Sequence, residues 1–353
     1  MEKLPNLTPL RFILASLVVL LHIHEFCKNR NFPFFDDLSV LNKGHEAVFM
    51  FFSLSGFLII RQLFMEKSAT NSINLKHFFL KRILRIFPLY YLVLSFGLVY
   101  YRFILPYFGF DYQNNYDLLY GVFLSYTFFP NIFALYNPGG IIEVLWSIGI
   151  EEQFYLLIAP LIFILPFKLI VRFLLFFTTV YFILYFSEWM SFLKSYNMLF
   201  FYFSFSGICS IVSLNNNIKF RKFKYLFFAI FVIYFTTSLF KNNLTDMFYH
   251  LFSMLLFGIT ISILAKTPIK ILENKLLNHL GKISYGVYMY HAIIMQLVGF
   301  LFLKSSVYLK ISNLNSILLF NGLVFIFTIF TAHLSYIYFE SYFLNLKRKF
   351  VTK

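Results

Sequence analysis

A few ionisable side chains in this chain stand inside long apolar stretches, at spacings that chemistry could use. The first set is Arg11, His22 and Glu25. On a helix rising 1.5 Å per residue, His22 falls ~16 Å beyond Arg11. A neutral imidazole can take a proton from a hydroxyl near neutral pH, which is general-base work. Glu25, three residues later, shares the same helical face and could orient the ring. The plain alternative is a histidine at an interface, satisfied by water. A second set runs Trp146-Ser147-Ile148-Gly149-Ile150-Glu151-Glu152-Gln153-Phe154-Tyr155. Its carboxylates and amide could orient a histidine or bind hydroxyl groups. The alternative is a hydrated helix N-terminus, where acids suit the dipole. Glu151 and Glu152 point about 100° apart on a helix, so at most one faces a given site. Arg82 and Arg85 share a face, and their guanidinium forks suit phosphate oxygens. They could equally anchor the chain at lipid headgroups. His291 follows Gly281-Lys282-Ile283-Ser284-Tyr285 by six residues, and its alternative is a core histidine bonded to a tyrosine. Ser53, Ser55 and Gly56 read as small residues that permit close helix contact.

The scaffold that must position these groups follows from composition. Of 353 residues, 60% are hydrophobic and only 13% charged. Soluble domains carry about a quarter charged residues, so a water-facing surface cannot be covered here. Soluble, disordered, collagen-like and coiled-coil classes are excluded together. The apolar runs are continuous rather than alternating, which excludes a β-barrel. Runs long enough to cross a bilayer fall near 10–27, 47–65, 86–105, 147–167, 170–187, 198–214, 225–240, 247–265, 284–303 and 316–338. The stretch 118–136 is also apolar, but it contains Pro130 and leads into Asn137-Pro138-Gly139-Gly140. It reads as interfacial or re-entrant. The expected fold class is an all-α polytopic membrane protein of about ten transmembrane helices. It forms a single domain over residues 1–353, without an extra soluble domain. Ionisable groups at bilayer depth cost at least a few kcal/mol, which makes each of them a functional candidate.

Orientation is read from charge. Lys and Arg number 30 against 15 Asp and Glu, a net charge of +15. With the N-terminus in the cytoplasm, the inner loops collect Arg61, Lys67, Lys76, Lys81, Arg82 and Arg85, then Lys168 and Arg172. Lys219, Arg221, Lys222 and Lys224 follow, then Lys266, Lys270, Lys275 and Lys282, and a tail with Lys347, Arg348, Lys349 and Lys353. The outer loops hold scattered single cations with Asp36, Asp37, Glu46, Asp111, Asp117 and Glu143. The asymmetry favours an N-in, C-in topology and explains the basic pI without a nucleic-acid partner. Cys27 and Cys209 lie on separate apolar segments and read as packing residues, with no metal-ligand spacing. No internal repeat or inverted pair of broken helices is present, which weakens a transporter reading.

Taken in order, these segments resemble the membrane-bound acyltransferase 3 family, the bacterial O-acyltransferases of surface polysaccharides. Arg11 and His22 match its Arg-x10-His signature, and Phe51 to Ile59 its FFxLSGFLI element. Arg82 and Arg85 match Arg-x-x-Arg, Ser147 to Tyr155 the SxxxEEQFY element, and Gly281 to His291 the LGxISYxxYxxH element. The chain departs from the pattern at Ile148-Gly149-Ile150, where Leu-Ser-Val is commoner, and at Glu340-Ser341, where Glu-x-Pro is often seen. His333 and Glu340 are read as structural.

The resemblance implies an acetyl-CoA-dependent O-acyltransferase, most often an O-acetyltransferase, in a bacterial cytoplasmic membrane. No permanently bound cofactor is expected; acyl-CoA is a co-substrate. Arg11, Arg82 and Arg85 would take the CoA phosphates. His22 would deprotonate a carbohydrate hydroxyl, with Glu25, Glu151 or Glu152 orienting the base or the acceptor. Trp146, Ser147, Gln153, Tyr155 and His291 would line the acceptor side. Acceptors of the family's kind include lipopolysaccharide O-antigen, capsule, exopolysaccharide and peptidoglycan. The competing reading is a transporter or flippase for a glycan or small solute, whose His and Glu residues relay protons or bind the solute. Binding of CoA separates the two.

Overall fold

The computed structural model describes residues 4–110, 115–215 and 224–351, the last five by their backbone alone. Asp111, Lys219, Arg221, Lys222 and Lys353, and the side chains of Lys347, Arg348 and Lys349, lie outside the described residues. Among the described residues the secondary structure is helical throughout. The main helices are α1 (Leu7–Asn29), α2 (Gly44–Thr70), α3 (Leu75–Val99), α4 (Leu118–Tyr126), α5 (Trp146–Ile164), α6 (Ile170–Tyr185) and α7 (Phe200–Val212). They continue as α8 (Lys224–Thr236), α9 (Asp246–Lys266), α10 (Lys275–Lys282), α11 (Ser284–Ser305), α12 (Asn313–Ser335) and α13 (Ser341–Val351).

Eight helical stretches among the described residues are long and apolar enough to cross a membrane, and nine if one bent pair counts as a span. Two of the ten expected spans account for the difference. The segment read at 198–214 is the bent pair, Glu188–Ser195 and Phe200–Val212, which meet at 84°. Asn197 takes φ +52° between them, a left-handed conformation that Asn tolerates and that ends a helix. The segment read at 225–240 is a shorter apolar helix, α8. The stretch 118–136 forms no long helix: α4 stops at Tyr126, and a single turn, Pro130–Phe133, follows. Local chemistry sets several ends. The side chains of Asn74 and Asp117 accept the backbone N–H groups of His77 and Tyr120, each at 2.9 Å, at the starts of α3 and α4.

The helices group into two compact units. The first comprises Met1–Leu21, Asp36–Ile73 and Phe154–Lys282. Within it α7 packs against α2, α6 and α9. Gly56 sits on the backbone of α7: a Cβ there would lie 2.1 Å from the carbonyl oxygen of Phe203. The expected packing role of this small residue is the observed one. Several of its buried polar groups are bonded within the unit. The Lys67 ammonium donates to the carbonyls of Ile162 (2.7 Å), Phe163 (2.8 Å) and Leu165, filling acceptors left open at the end of α5. The Asn6 amide donates to the carbonyls of Leu264 and Thr267 at 2.8 Å, tying the start of α1 to the end of α9.

The second unit comprises His22–Phe35, Asn74–Gln153 and Ile283–Lys353. Here α11 packs along α12, and α3 packs on α11 and α13. α3 runs on through a wider turn, Tyr100–Ile104, which presents Tyr101 to the loop before α5. Gly139 rests on that ring with φ +102°; a Cβ there would meet Tyr101 carbons at 2.3 Å. The Tyr101 hydroxyl accepts the Ile141 N–H at 3.1 Å. These two contacts fix the single helical turn Gly140–Glu143 that precedes α5. Both cysteines are free thiols, and Cys27 is buried, as packing residues should be.

Candidate active site

The second unit gathers most of the residues singled out from sequence. His22 and Glu25 share the expected face of α1, with Nδ1 of His22 3.4 Å from Oε2 of Glu25. Their side chains are 25% and 48% exposed. α11 brings His291 to the same place: the His22 and His291 rings stack at 5.2 Å between centroids and 27° between planes. His291 is fully buried. Its Nδ1 lies 2.5 Å from the carbonyl oxygen of Tyr288, one helical turn back. A carbonyl only accepts, so Nδ1 carries the hydrogen and Nε2 the lone pair. Nε2 is buried without a hydrogen-bond partner.

The geometry adds an acid that the sequence reading left among outer-loop charges. Glu143 accepts the Gly139 N–H at 3.1 Å and interacts electrostatically with His22 and Glu25. It lies on a one-turn helix rather than on a periodic one, so spacing gave no reason to pair it with His22. The available signal was an acid directly after Gly139-Gly140, at the head of an apolar stretch.

The tryptophan-to-glutamine segment has a different set of neighbours. The Ser147 and Tyr288 hydroxyls lie 2.8 Å apart, and Tyr288 donates to the Val144 carbonyl at 2.8 Å. These bonds brace the helical turn that carries His291 against the head of α5. The Gln153 amide donates to the Phe128 carbonyl and to Asn131 Oδ1, both at 2.8 Å. Trp146 and Glu151 are half-buried. Glu152 is buried, with Oε1 unbonded, and interacts with Glu151 and with the Arg82 guanidinium. Arg82 lies over the Phe78 ring, 5.4 Å from its centroid. Arg85, on the same face of α3, is exposed and interacts with the buried carboxylate of Glu340. Glu340 in turn accepts a hydrogen bond from Ser335 at 3.2 Å. Arg11, half-buried on α1, and Tyr155, buried on α5, belong to the first unit.

Long apolar helices with buried His and Glu side chains define an integral membrane protein with an ionisable site. The family follows from comparison with known proteins. A family model described as an acyltransferase domain, that of the acyltransferase 3 family, matches residues 5–339. The chain belongs to this family and is an integral-membrane acyltransferase. A protein of Acidianus two-tailed virus with a provisional acetyltransferase name is 28% identical over 74% of this chain and 76% of its own length. The peptidoglycan O-acetyltransferase OatA of Listeria monocytogenes is 27% identical over 44% of this chain and 24% of its own length. No solved structure matches.

Proposed function

We propose that the protein moves an acetyl group from cytoplasmic acetyl-CoA to a hydroxyl of a cell-surface carbohydrate, with His22 as general base. The observation that carries this reading is the His22–Glu25 pair inside a membrane unit, stacked on His291 and coupled to Glu143. Glu25 faces Nδ1 of His22, which leaves Nε2 to take the hydroxyl proton. In the step itself the hydroxyl O–H bond breaks as oxygen bonds the acyl carbon. The thioester C–S bond then breaks, and the proton passes from His22 to the thiolate. Holding donor and acceptor in line supplies much of the acceleration.

Of the two arginines on α3, Arg85 is the better phosphate ligand. It is exposed, whereas Arg82 is half-buried, so Arg85 has more of its guanidinium open to a phosphate. Arg11 completes the motif and takes the same role. Trp146 and Glu151 have side-chain surface left for the acceptor. Acetyl as the group, and a glycan as the acceptor, rest on the relatives' names.

Membranes from expressing cells, given radiolabelled acetyl-CoA and a surface glycan, test this directly. Label should enter a product that mild base cleaves, and His22→Ala at equal expression should not make it. Retained transfer in His22→Ala would refute the assignment of the base.

A further inference from the structure

We propose that His291 is a positioning residue: its neutral ring is the face on which the protonated His22 ring rests while it holds the hydroxyl proton. The inference rests on His22 being the base. His291 is built to stay neutral. Its Nδ1 hydrogen is committed to the Tyr288 carbonyl at 2.5 Å. A second proton would have to go on Nε2, which is buried and has no partner there. A charge placed so is strongly disfavoured. It would also sit beside His22, whose ring stacks at 5.2 Å.

His22 has the opposite surroundings. It is 25% exposed, with Glu25 at 3.4 Å. The titratable groups that face it are Glu25 on its own helix, Glu143 from the turn before α5, and His291 from α11. Two carboxylates and one neutral ring therefore surround the imidazole that gains the proton. A cation over an aromatic face is attracted by the π electrons. A neutral His291 adds that attraction and keeps the His22 plane fixed. A charged His291 would cancel both. The Ser147–Tyr288–Val144 bonds hold the same helical turn in place.

The inference is that the ring matters rather than the bare nitrogen, and three variants separate these. His291→Phe keeps an aromatic face and removes a buried, unbonded acceptor, and the Tyr288 carbonyl keeps its own helical partner. His291→Gln keeps a polar acceptor without a ring. His291→Ala keeps neither. Two readouts are taken at matched expression. One is the pH profile of acyl transfer. The other is the pH midpoint of His22 modification by diethyl pyrocarbonate, followed by peptide mass spectrometry, which needs no turnover.

His291→Phe should stay within about three-fold of the parent kcat, with an unchanged midpoint. His291→Gln and His291→Ala should lose roughly ten-fold or more, with little change in KM. In both, the midpoint and the acid limb should move down by about half a pH unit. An active Gln variant beside an inactive Phe variant would overturn the proposal in favour of the bare nitrogen. So would three variants near parent activity, or three inactive ones with an unmoved midpoint. A parent protein without acyl transfer would refute the proposed function instead, while the modification midpoint would still judge the histidine pair.

Discussion

Two buried histidines on long membrane helices, His250 in the first unit and His291 in the second, have opposite surroundings. Nδ1 of His250 is bonded to the Tyr202 hydroxyl at 2.9 Å, and Nε2 faces Asp246 at 3.6 Å. Asp246 continues to Lys194 at 2.5 Å. Nearby, the Tyr249 hydroxyl donates to Glu46 at 2.8 Å, and Lys43 stands 3.7 Å from the same carboxylate. His291 spends one nitrogen on its own helix and leaves the other bare, with its face on a second histidine. Buried polar groups are nearly always bonded, so an open one calls for an explanation. Around His250 the polar groups act as fasteners. Around His291 a ring nitrogen stays open, which is what a site needs before its substrates arrive.

Removing the histidines should widen this contrast most. His22→Ala is expected to lower acyl transfer by about 10²–10⁴. His250→Ala should leave kcat unchanged and lower stability by about 1–3 kcal/mol, because Tyr202 and Asp246 lose their partner. A thermal-unfolding assay in detergent beside the transfer assay reads both. If His250→Ala silenced transfer in a protein that stays folded, the two-unit contrast would break.

Next come the cations. Arg82→Ala removes a half-buried cation near the Glu152 carboxyl and should destabilise by about 1–2 kcal/mol. Lys67→Met strands helix-end carbonyls and should cost about 2 kcal/mol without altering KM. Arg85→Ala should barely change unfolding and should raise KM for acetyl-CoA roughly five- to ten-fold. A KM effect larger for Arg82→Ala than for Arg85→Ala would reverse their ranking as phosphate ligands. The smallest effect belongs to Glu143→Gln, expected to lower kcat about five-fold, since one nearby negative charge is lost from around His22. An unchanged pH–rate profile in that variant would remove Glu143 from the site.

Legibility in the sequence followed the range of each interaction. Most spans were legible because hydropathy sums over about 20 neighbouring residues. The break at Asn197 was missed because one backbone dihedral does not alter that sum. The His22–Glu25 pair was legible because helical spacing places residues three apart on one face. The Ser147–Tyr288 bond and the electrostatic interaction of Arg82 with Glu152 join separate helices, and no local pattern announces them. Glu143 stayed hidden for the same reason.

By itself, then, the sequence determined the class of molecule and the order of its motifs. Too little charge for a water-facing surface, long apolar runs, and the spacing of Arg11, His22 and Glu25 are properties of near neighbours in the chain. Tertiary packing alone decided which polar groups meet. It turned Lys67 into a helix cap, gave His250 two partners, and laid His291 against His22 with a nitrogen to spare. The physical reason is range: hydropathy and helical periodicity act within a few turns, whereas pairing across helices depends on how whole helices lie against each other.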